Sequence, residues 1–567
     1  MSGLASIGRG MASVVVGVGL LAGSAMAAEQ AAVVPVEKTS WKFNFSGTAR
    51  SGFQTVLPTS VYATNTGFGF DFGKDSGKTV TRYTAKMDGI EAVPSGKNTH
   101  NWTGLPFYAP AREAFFFSAN VPRGNYEVKI TLGSVDTAVR ATIRAEQRRL
   151  MIEDWQIPAG QAQARTIHVN RRSTAIAGTS NASSMTAREA TYVDLDNRLT
   201  IEINGNHPVI DALEITKIDT GITVYLAGNS TVVDQSQEPW GSWGQNFPRF
   251  FKPGVAISDQ AESGLSAASF LAGRRLDNIV STLKAGDYVF VEFGHNDQKS
   301  TSATPLLDYR NNLVKFVTAV KAKNATPVLV TPTARLSFTG TTANNTLDAY
   351  PDTVRSVAKQ QGVPMFDLNA MSSRLIEALG PSNASKAYCY FPANTVDSQT
   401  TALKDGTHWN SYGGYELAKA MATEVKKQNL SFAKFLSDDY VAFDPSSPDA
   451  YAAFALPFSP FLGTYATPDS AVYVPVRIAG GVVGVGESRI ASASLQGGTL
   501  SLRLTGDEDG LEVRVLDMDG SLVSMTSLTG RSTGERQIVA PHGFSHRIHL
   551  VQLVKAGQVV DQRKVGP

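Results

Sequence analysis

The stretch "ITVYLAGNSTVVD", residues Ile222 to Asp234, opens with an apolar run of strand length and ends in small and polar residues. Two similar runs follow, "YVFVEFG" at Tyr288 to Gly294 and "TPVLVTP" at Thr326 to Pro332. Continuous apolar runs are typical of strands that are buried on both faces of a sheet. This part of the chain therefore predicts a parallel sheet.

Segments with helical spacing lie between and after these runs. Apolar residues recur three and four positions apart in "RRLDNIVSTLKAG" (Arg274 to Gly286), in Leu306 to Asn324 and in Ser411 to Gln428. Strands that alternate with helices predict an α/β fold in which helices cover both faces of the sheet. We place this domain at residues 220–432.

The regions on either side have a different pattern. Residues 38–219 contain short segments that alternate apolar and polar residues, such as "NYEVKITLG" at Asn125 to Gly133, with Gly, Asn and Pro between them. This pattern predicts an all-β sandwich. Residues 433–470 are rich in Pro and Ser and predict a linker, and the strand patterns of residues 471–567 predict a second, small β-sandwich.

The start of the chain has the pattern of a secretory signal. Arg9 precedes an apolar stretch from Met11 to Met26, and Ala25 and Ala27 supply small residues for cleavage. We predict a signal peptide over residues 1–27 and export to the periplasm or beyond the cell. No later apolar run has the length of a membrane span, so we expect no membrane contact after the signal is removed.

The charge balance bears on partners. The 567 residues include 52 basic and 50 acidic ones, for a net charge of +2. Such an even balance argues against a nucleic-acid partner. Cys389 is the single cysteine, and its aromatic neighbours predict a buried thiol. His542, His546 and His549 resemble a metal cluster, but strand alternation would split them between two faces, so we predict no metal site there.

Polar loops follow the predicted strands. Ser230 follows the first run, Asn296 follows the second, and Gly264 lies beyond a probable strand that begins near Val255. "KDGTHWN" places Asp405 and His408 just before the last helix. Carboxyl ends of parallel strands share one edge of the sheet, so these loops are predicted to meet there.

These residue types fit nucleophilic catalysis. A serine hydroxyl needs a base such as His408, and the histidine needs an acceptor such as Asp405 to orient it. The backbone N–H groups of Ser230 and Gly264 and the amide of Asn296 could stabilise an oxyanion. Taken singly, Ser230 also fits an ordinary turn serine.

Four separated blocks, "GNST", "AESGLS", "GHND" and "DGTH", resemble those of the SGNH (GDSL-type) hydrolases over residues 220–430. "WGQNFPRFF" and "DGTHWN" make the chain most similar to the rhamnogalacturonan acetylesterase-like branch. The resemblance implies a flavodoxin-like α/β/α core, no metal or other cofactor, and an acetylated polysaccharide substrate. Residues 38–219 resemble the galactose-binding-like sandwiches that accompany such esterases.

Three positions depart from the family pattern. Asn229 stands where the family usually has Asp, and Asp259 stands where it usually has Asn. Asn keeps the size and the acceptor oxygen of Asp but loses its charge. Leu265 stands where pectin-active members commonly carry Arg, which weakens the inference about substrate more than the inference about chemistry.

The resulting hypothesis is a secreted serine esterase that removes O-acetyl groups from pectic rhamnogalacturonan through an acetyl-enzyme. One alternative is a broader acetylesterase that acts on xylan or other glycans. Another is a catalytically degenerate carbohydrate-binding protein. The sequence does not specify an oligomeric state.

Four further residues are candidate substrate contacts: Trp240, Trp243, His295 and Trp409. Tryptophan rings stack readily on sugar rings, and His295 lies within the "GHND" block. Core packing is the alternative for the tryptophans, and a structural role is the alternative for the histidine.

Overall fold

The computed structural model describes residues 38–459, with gaps at 47, 58–59, 72–82, 87–88, 93–107, 110–111 and 396–399, and seven strands between residues 489 and 565. The predicted signal peptide lies outside the described residues, as do His542 and His546.

The first part of the chain forms two mainly antiparallel sheets. The described strands are β1 (Ser40–Asn44), β2 (Gln54–Thr55), β3 (Phe68–Asp71), β4 (Tyr83–Lys86), β5 (Gly89–Ala92), β6 (Tyr108–Ala109), β7 (Arg112–Asn120), β8 (Gly124–Ser134), β9 (Val139–Ala145), β10 (Arg149–Ile157), β11 (Gln161–Arg171), β12 (Arg198–Asn206) and β13 (Val209–Ile218). One sheet has the order β11-β8-β13-β1-β2, with β5 also pairing β13, and the other has the order β10-β9-β12-β7-β3. Phe43 from the first sheet and Phe117 and Ile201 from the second share one buried cluster. Its classification as a galactose-binding-like sandwich stays a prediction.

The second part contains a five-stranded parallel sheet. The strands of this sheet are β14 (Ile222–Gly228), β15 (Val255–Asp259), β16 (Tyr288–Glu292), β17 (Thr326–Val330) and β20 (Met365–Phe366). A separate short pair, β18 (Phe338–Thr339) and β19 (Thr342–Ala343), lies between β17 and β20 in sequence. The sheet order is β15-β14-β16-β17-β20, with parallel neighbours throughout. Counted along the sheet this is the order 2-1-3-4-5 of flavodoxin-like folds. The predicted parallel sheet is confirmed.

Seven α-helices surround this sheet in the described residues: α1 (Trp243–Asn246), α2 (Ala267–Ala272), α3 (Arg275–Thr282), α4 (Pro305–Lys321), α5 (Tyr350–Gln361), α6 (Leu368–Leu379) and α7 (Ser411–Lys427). Successive residues of β14 face opposite layers. Leu226 packs into a cluster that includes residues of α1, α6 and α7, whereas Tyr225 packs into a cluster with residues of α2, α3, α4 and α5. This alternation produces the three layers, because side chains of a strand point to both faces in turn.

Helices α1, α2 and α6 were not predicted, and neither were the strand pair β18–β19 and a second antiparallel pair. The second pair consists of β21 (Tyr388–Phe391) and β22 (Leu403–Trp409), which lie apart from the main sheet. Among the helices that the structure describes, none combines the length and apolar character that crossing a membrane requires.

The end of the described chain returns to strands. They are β23 (Leu456–Pro457), β24 (Arg489–Gln496), β25 (Thr499–Thr505), β26 (Leu511–Asp517), β27 (Leu522–Leu528), β28 (Gly534–Val539), β29 (His549–Lys555) and β30 (Gln558–Val565). β23 pairs with β6, and the others form the sheets β24-β25-β28 and β27-β26-β29-β30. Phe443, Phe454 and Leu456, within the predicted linker, are buried in the same cluster as helix α7. The described part of that linker, residues 433–459, is therefore packed in part against the parallel-sheet region.

Candidate active site

The four loops meet at the carboxyl edge of the parallel sheet. Ser230 lies two residues beyond the end of β14, and Asn296 lies four residues beyond the end of β16. β14 and β16 are neighbours although β15 lies between them in sequence, so the strand order reverses here. Such a switch point leaves a crevice between the two loops, which is where open α/β sheets bind ligands.

Ser230, His408 and Asp405 form one chain of hydrogen bonds. The distance between Ser230 Oγ and His408 Nε2 is 2.8 Å, and the distance between His408 Nδ1 and Asp405 Oδ2 is 2.6 Å. Burial raises the pKa of Asp405, but the hydrogen bond and charge of His408 outweigh it and hold that pKa below its usual value. An ionised Asp405 keeps the proton of the imidazole on Nδ1, so that Nε2 can accept the serine proton.

Backbone hydrogen bonds fix the loop that carries the base. Asp405 Oδ1 accepts from the N–H groups of Thr407 at 2.9 Å and of His408 at 3.1 Å. The carbonyl of Gly406 accepts from Leu336 N–H at 2.8 Å. The histidine and its acid therefore sit on a short, closed turn within β22.

A second turn presents the serine. Asn229 Oδ1 accepts from the backbone N–H of Thr231 at 3.0 Å and from its hydroxyl at 2.9 Å. The N–H groups of Val232 and Val233 donate to the Asn229 carbonyl, and the Gln235 amide donates to the carbonyl of Ser230 at 2.7 Å. Asn229 thus keeps the turn-forming acceptor that an Asp would supply, and no bond joins its side chain to Ser230 Oγ or His408.

Gly264 and Asn296 lie in two loops that are joined by a hydrogen bond, and their roles as oxyanion donors stay predictions. Gly264 is exposed with φ +84°, a left-handed conformation that favours glycine. Asn296 Nδ2 donates to the carbonyl of Leu265 at 3.1 Å, which uses one of its two hydrogens and leaves the second for a ligand. The N–H of Glu262 donates to the carbonyl of Gly228 at 3.2 Å, which ties this loop to the strand that leads to Ser230.

Asp297, the last residue of "GHND", supports the loop that carries Asn296. Its carboxylate accepts from Ala267 N–H at 2.9 Å and from Gly294 N–H at 3.0 Å. Burial raises its pKa to about 6 despite these bonds. Because it bridges α2 and the loop after β16, it fixes the loop that carries Asn296. Its place beside Asn296 in "GHND" was the available signal.

A buried carboxylate beneath the serine was also missed. Glu292, at the end of β16, accepts from the hydroxyl of Thr231 at 2.7 Å and from the indole N–H of Trp243. Burial raises its pKa to about 7, against the effect of both donors. An acid in an otherwise apolar strand was the signal that could have found it.

The burial of their side chains contradicts several of the predicted substrate contacts. Trp243 and Trp409 are fully buried, and Trp409 stacks on Tyr388 with ring centroids 4.1 Å apart. Their ring faces are covered by protein, so the prediction that they stack on sugar is wrong. Trp240 is half-buried, so its contact with substrate stays a prediction.

His295 is only 2% exposed, so a direct contact with substrate is also wrong. Burial, followed by the charges of Arg335 and His408, lowers its pKa to about 3, which keeps the ring neutral. Cys389 is fully buried as predicted, and no group of three or more His, Cys, Asp or Glu in the described chain is arranged to hold a metal.

Asp259 faces arginines from the first part of the chain. Its Oδ1 accepts from Ala261 N–H at 2.9 Å, and burial followed by the charge of Asp234 raises its pKa well above the usual value. Arg172 and Arg149 oppose that rise. Asp259 is therefore a second buried acid near Asp234, and the fold tolerates it because Arg172 and Arg149 lie close by.

Comparisons with known proteins agree with the predicted family. The GDSL-like lipase/acylhydrolase family matches residues 226–413. Rhamnogalacturonan acetylesterase RhgT of Bacillus subtilis (strain 168) is 35% identical over 212 residues, which are 37% of this chain and 91% of that protein. The uncharacterized esterase YxiM of the same organism is 24% identical over 419 residues, 70% of this chain and 94% of that protein. A rhamnogalacturonan acetylesterase of Emericella nidulans is 28% identical over 226 residues, 36% of this chain and 84% of that protein.

The fold and site thus define an α/β hydrolase with a Ser–His–Asp chain of hydrogen bonds. The chain belongs to the GDSL-like lipase/acylhydrolase family, and within it the chain is rhamnogalacturonan acetylesterase-like.

Proposed function

We propose that this protein is an exported serine esterase that removes O-acetyl groups from pectic rhamnogalacturonan. The chain is a carbohydrate acetylesterase, as its named acetylesterase relatives indicate. Three relatives named for rhamnogalacturonan support the pectic substrate. The observation that carries the chemistry is the 2.8 Å contact between Ser230 Oγ and His408 Nε2.

In the proposed first half-reaction, Ser230 Oγ attacks the acetyl carbonyl while His408 Nε2 takes the hydroxyl proton. The carbonyl oxygen becomes an oxyanion, which accepts hydrogen bonds from the N–H groups of Ser230 and Gly264 and from the amide of Asn296. Collapse of this intermediate breaks the bond to the sugar oxygen, which takes the proton from His408. The sugar leaves with a free hydroxyl, and an acetyl-enzyme remains.

In the second half-reaction, His408 takes a proton from water and the resulting hydroxide attacks the acetyl carbon. The second oxyanion uses the same donors. Its collapse returns the Ser230 oxygen, which recovers its proton from His408. Acetic acid departs and loses its proton to solvent water, which gives acetate. Asp405 stays ionised and stabilises the imidazolium formed in each half-reaction. Every proton transfer is thus accounted for by His408 and water.

Acetate release from acetylated rhamnogalacturonan, acetylated xylan and a neutral aryl acetate tests this proposal. We expect the pectic substrate to have the highest kcat/KM. Faster release from xylan would replace the pectic assignment by the broader acetylesterase alternative, and no release from any substrate would leave only a binding role.

Replacing Ser230 by Ala should remove nearly all activity on every substrate, because in the described part of the chain Ser230 is the hydroxyl that is hydrogen-bonded to His408 Nε2. Loss of the serine is expected to lower kcat by at least about 10⁴-fold. Ser411→Ala is a matched control, since that hydroxyl donates to Glu238 and lies outside the triad. Equal rates for wild type and Ser230→Ala would contradict the mechanism.

Export is proposed from the predicted signal peptide alone. Sequencing of the N-terminus of protein recovered from outside the cytoplasm should find Ala28 first. Recovery of the intact chain beginning at Met1 would contradict export by this signal.

A further inference from the structure

The loop that carries Gly264, here called the oxyanion loop (residues 262–265), is held from three directions. Glu262 N–H donates to the carbonyl of Gly228, and the amide of Asn296 donates to the carbonyl of Leu265. These two contacts come from the catalytic region itself. The third comes from the first part of the chain, before residue 220.

Arg188 supplies this third contact. Its Nε donates to Glu262 Oε1 at 3.0 Å, its Nη2 donates to the same oxygen, and Nη2 also donates to the carbonyl of Ser263 at 3.0 Å. The Thr186 hydroxyl donates to Glu262 Oε1 at 3.2 Å. One guanidinium therefore holds both residues that immediately precede Gly264.

The segment that carries Arg188 is itself fixed. The N–H of Thr186 donates to Glu189 Oε2 at 2.8 Å, and the N–H of Glu189 donates back to the Thr186 hydroxyl at 3.1 Å. The buried carboxylate of Glu189 also pairs with Arg275 in helix α3, with 2.9 Å between Oε1 and Nη1. Arg188 thus extends from a short turn that is anchored to the catalytic region.

The charges explain why an arginine is needed. Glu262 is fully buried, and burial followed by the charge of Glu189 raises its pKa to about 7, whereas Arg188 lowers it. Without the guanidinium, the carboxylate would lose its nearest cation and two charge-assisted hydrogen bonds, and the loop would relax toward a new arrangement.

We propose that Arg188 is a positioning residue that holds the backbone N–H of Gly264 in place for the oxyanion. This inference rests on the proposed function, because it assigns Gly264 the role of a donor. Oxyanion donors act mainly in the transition state, so a displaced Gly264 lowers kcat and leaves KM nearly unchanged. A residue that only binds substrate would change KM instead.

The test measures kcat and KM on 4-nitrophenyl acetate, a small neutral substrate that makes no use of the arginine charge. Arg188→Ala is expected to lower kcat about 10- to 100-fold and to change KM by no more than about twofold. The loss in kcat should not exceed the loss caused by removing one oxyanion donor, because Gly264 is displaced but still present. Arg188→Lys keeps the charge but cannot make the contacts of Nε and Nη2 at the same time, so its kcat is expected to lie between those of wild type and Arg188→Ala. Amide hydrogen exchange at residues 262–265 is expected to rise in both variants.

Arg140→Ala is the matched control. Arg140 is a similarly exposed arginine of the same region, and it pairs with Asp154 at the surface. Its kcat, KM and loop exchange should equal those of the wild type. Thermal unfolding of each variant shows whether it is folded, and a folded Arg188→Lys decides the question if Arg188→Ala does not fold.

A double variant tests whether Arg188 acts through Glu262. Glu262→Gln removes the buried charge, so adding Arg188→Ala to it should cost less than Arg188→Ala costs in the wild type. Unchanged kcat and unchanged exchange in the Arg188 variants would overturn the proposal, as would a change confined to KM. Failure of the proposed function is distinct, because it would appear as equal rates for wild type and Ser230→Ala, and hydrogen exchange reports on the loop in either case.

Discussion

At the scale of single residues, Asn229 shows how a departure from a family pattern can be accommodated. The side chain is fully buried, and its oxygen shares the hydroxyl of Thr231 with Glu292. An Asp at this position would place a second buried carboxylate on the same hydroxyl. Two neighbouring carboxylates each make ionisation of the other less favourable. Asparagine is neutral, so it avoids a second buried negative charge next to Glu292.

Asn229→Asp should keep kcat/KM within about tenfold, a change of roughly 1.4 kcal/mol or less in the barrier, because residue 229 does not touch the reacting atoms. Steady-state kinetics on an aryl acetate measure this. A loss beyond 100-fold in a folded variant would show that residue 229 takes part in catalysis.

Glu292 gives a prediction about pH. Its pKa in the folded protein is about 7, above the usual value of 4.5, so between these values the folded state binds the proton that the unfolded state has lost. Its contribution to stability is therefore present below about pH 4.5 and is lost as the pH rises through 7. Glu292→Gln keeps a neutral side chain at every pH, so it should remove this part of the decline in the free energy of unfolding as the pH rises.

Denaturant unfolding of wild type and Glu292→Gln at pH 5 and pH 8 measures the difference. The variant should gain about 2.5 kcal/mol relative to wild type between the two pH values. Asp438→Asn, a change at an exposed acid that pairs with Lys252 at the surface, serves as the control and should show little relative change. Parallel pH dependence of wild type and Glu292→Gln would contradict the raised pKa.

At the scale of elements, helix α7 and the strand pair β21–β22 form one unit that positions His408. Gly413, in the first turn of α7, lies so close to the preceding elements that a Cβ atom would be 2.2 Å from the carbonyl oxygen of Ala387 and 2.6 Å from the ring of Trp409. The helix can approach β22 this closely only because residue 413 has no side chain. The position of the base therefore depends on a helix–strand contact.

Gly413→Ala should destabilise the protein by roughly 1–3 kcal/mol, which is the usual cost of adding a methyl group to a filled core, and it should lower kcat by moving β22. Thermal unfolding and kinetics measure both effects. Lys426→Ala, an exposed change near the end of the same helix, should leave both unchanged. A Gly413→Ala variant with wild-type stability and kcat would show that the contact can relax without cost.

At the scale of the whole molecule, buried ion pairs join the first part of the chain to the catalytic region. Arg149 donates to Asp234 Oδ2 from Nε at 2.9 Å and from Nη2 at 2.7 Å, and both side chains are fully buried. Arg148 pairs with Glu238 in the segment after the nucleophile turn. The two regions therefore share a charged interface rather than a flexible connection.

Arg149→Met should destabilise the protein by about 3–5 kcal/mol, because it leaves Asp234 buried without its cation. Combining it with Asp234→Leu removes the unpaired charge and should recover part of that loss. Calorimetry of the two variants and of Arg140→Ala as a surface control measures this. A double variant less stable than Arg149→Met would contradict this account of the pair.

The sequence by itself determined the catalytic core. Three features are visible as local patterns: apolar runs of strand length, amphipathic helices, and polar residues just beyond the strand ends. Each depends mainly on which nearby residues are apolar and which are polar. They were sufficient to predict the parallel sheet, the meeting of Ser230 with Asp405 and His408, and the placement of Gly264 and Asn296 at the same edge.

Only the tertiary structure decided which side chains are accessible and which distant groups meet. Trp243, Trp409 and His295 look like ligand contacts in a sequence, but packing of α1, α7 and the central sheet buries them. The contact of Arg188 with Glu262 joins residues 74 positions apart, and no local pattern specifies it. Burial and long-range ion pairing depend on how whole elements pack, because they arise from surfaces that form only when the chain has folded.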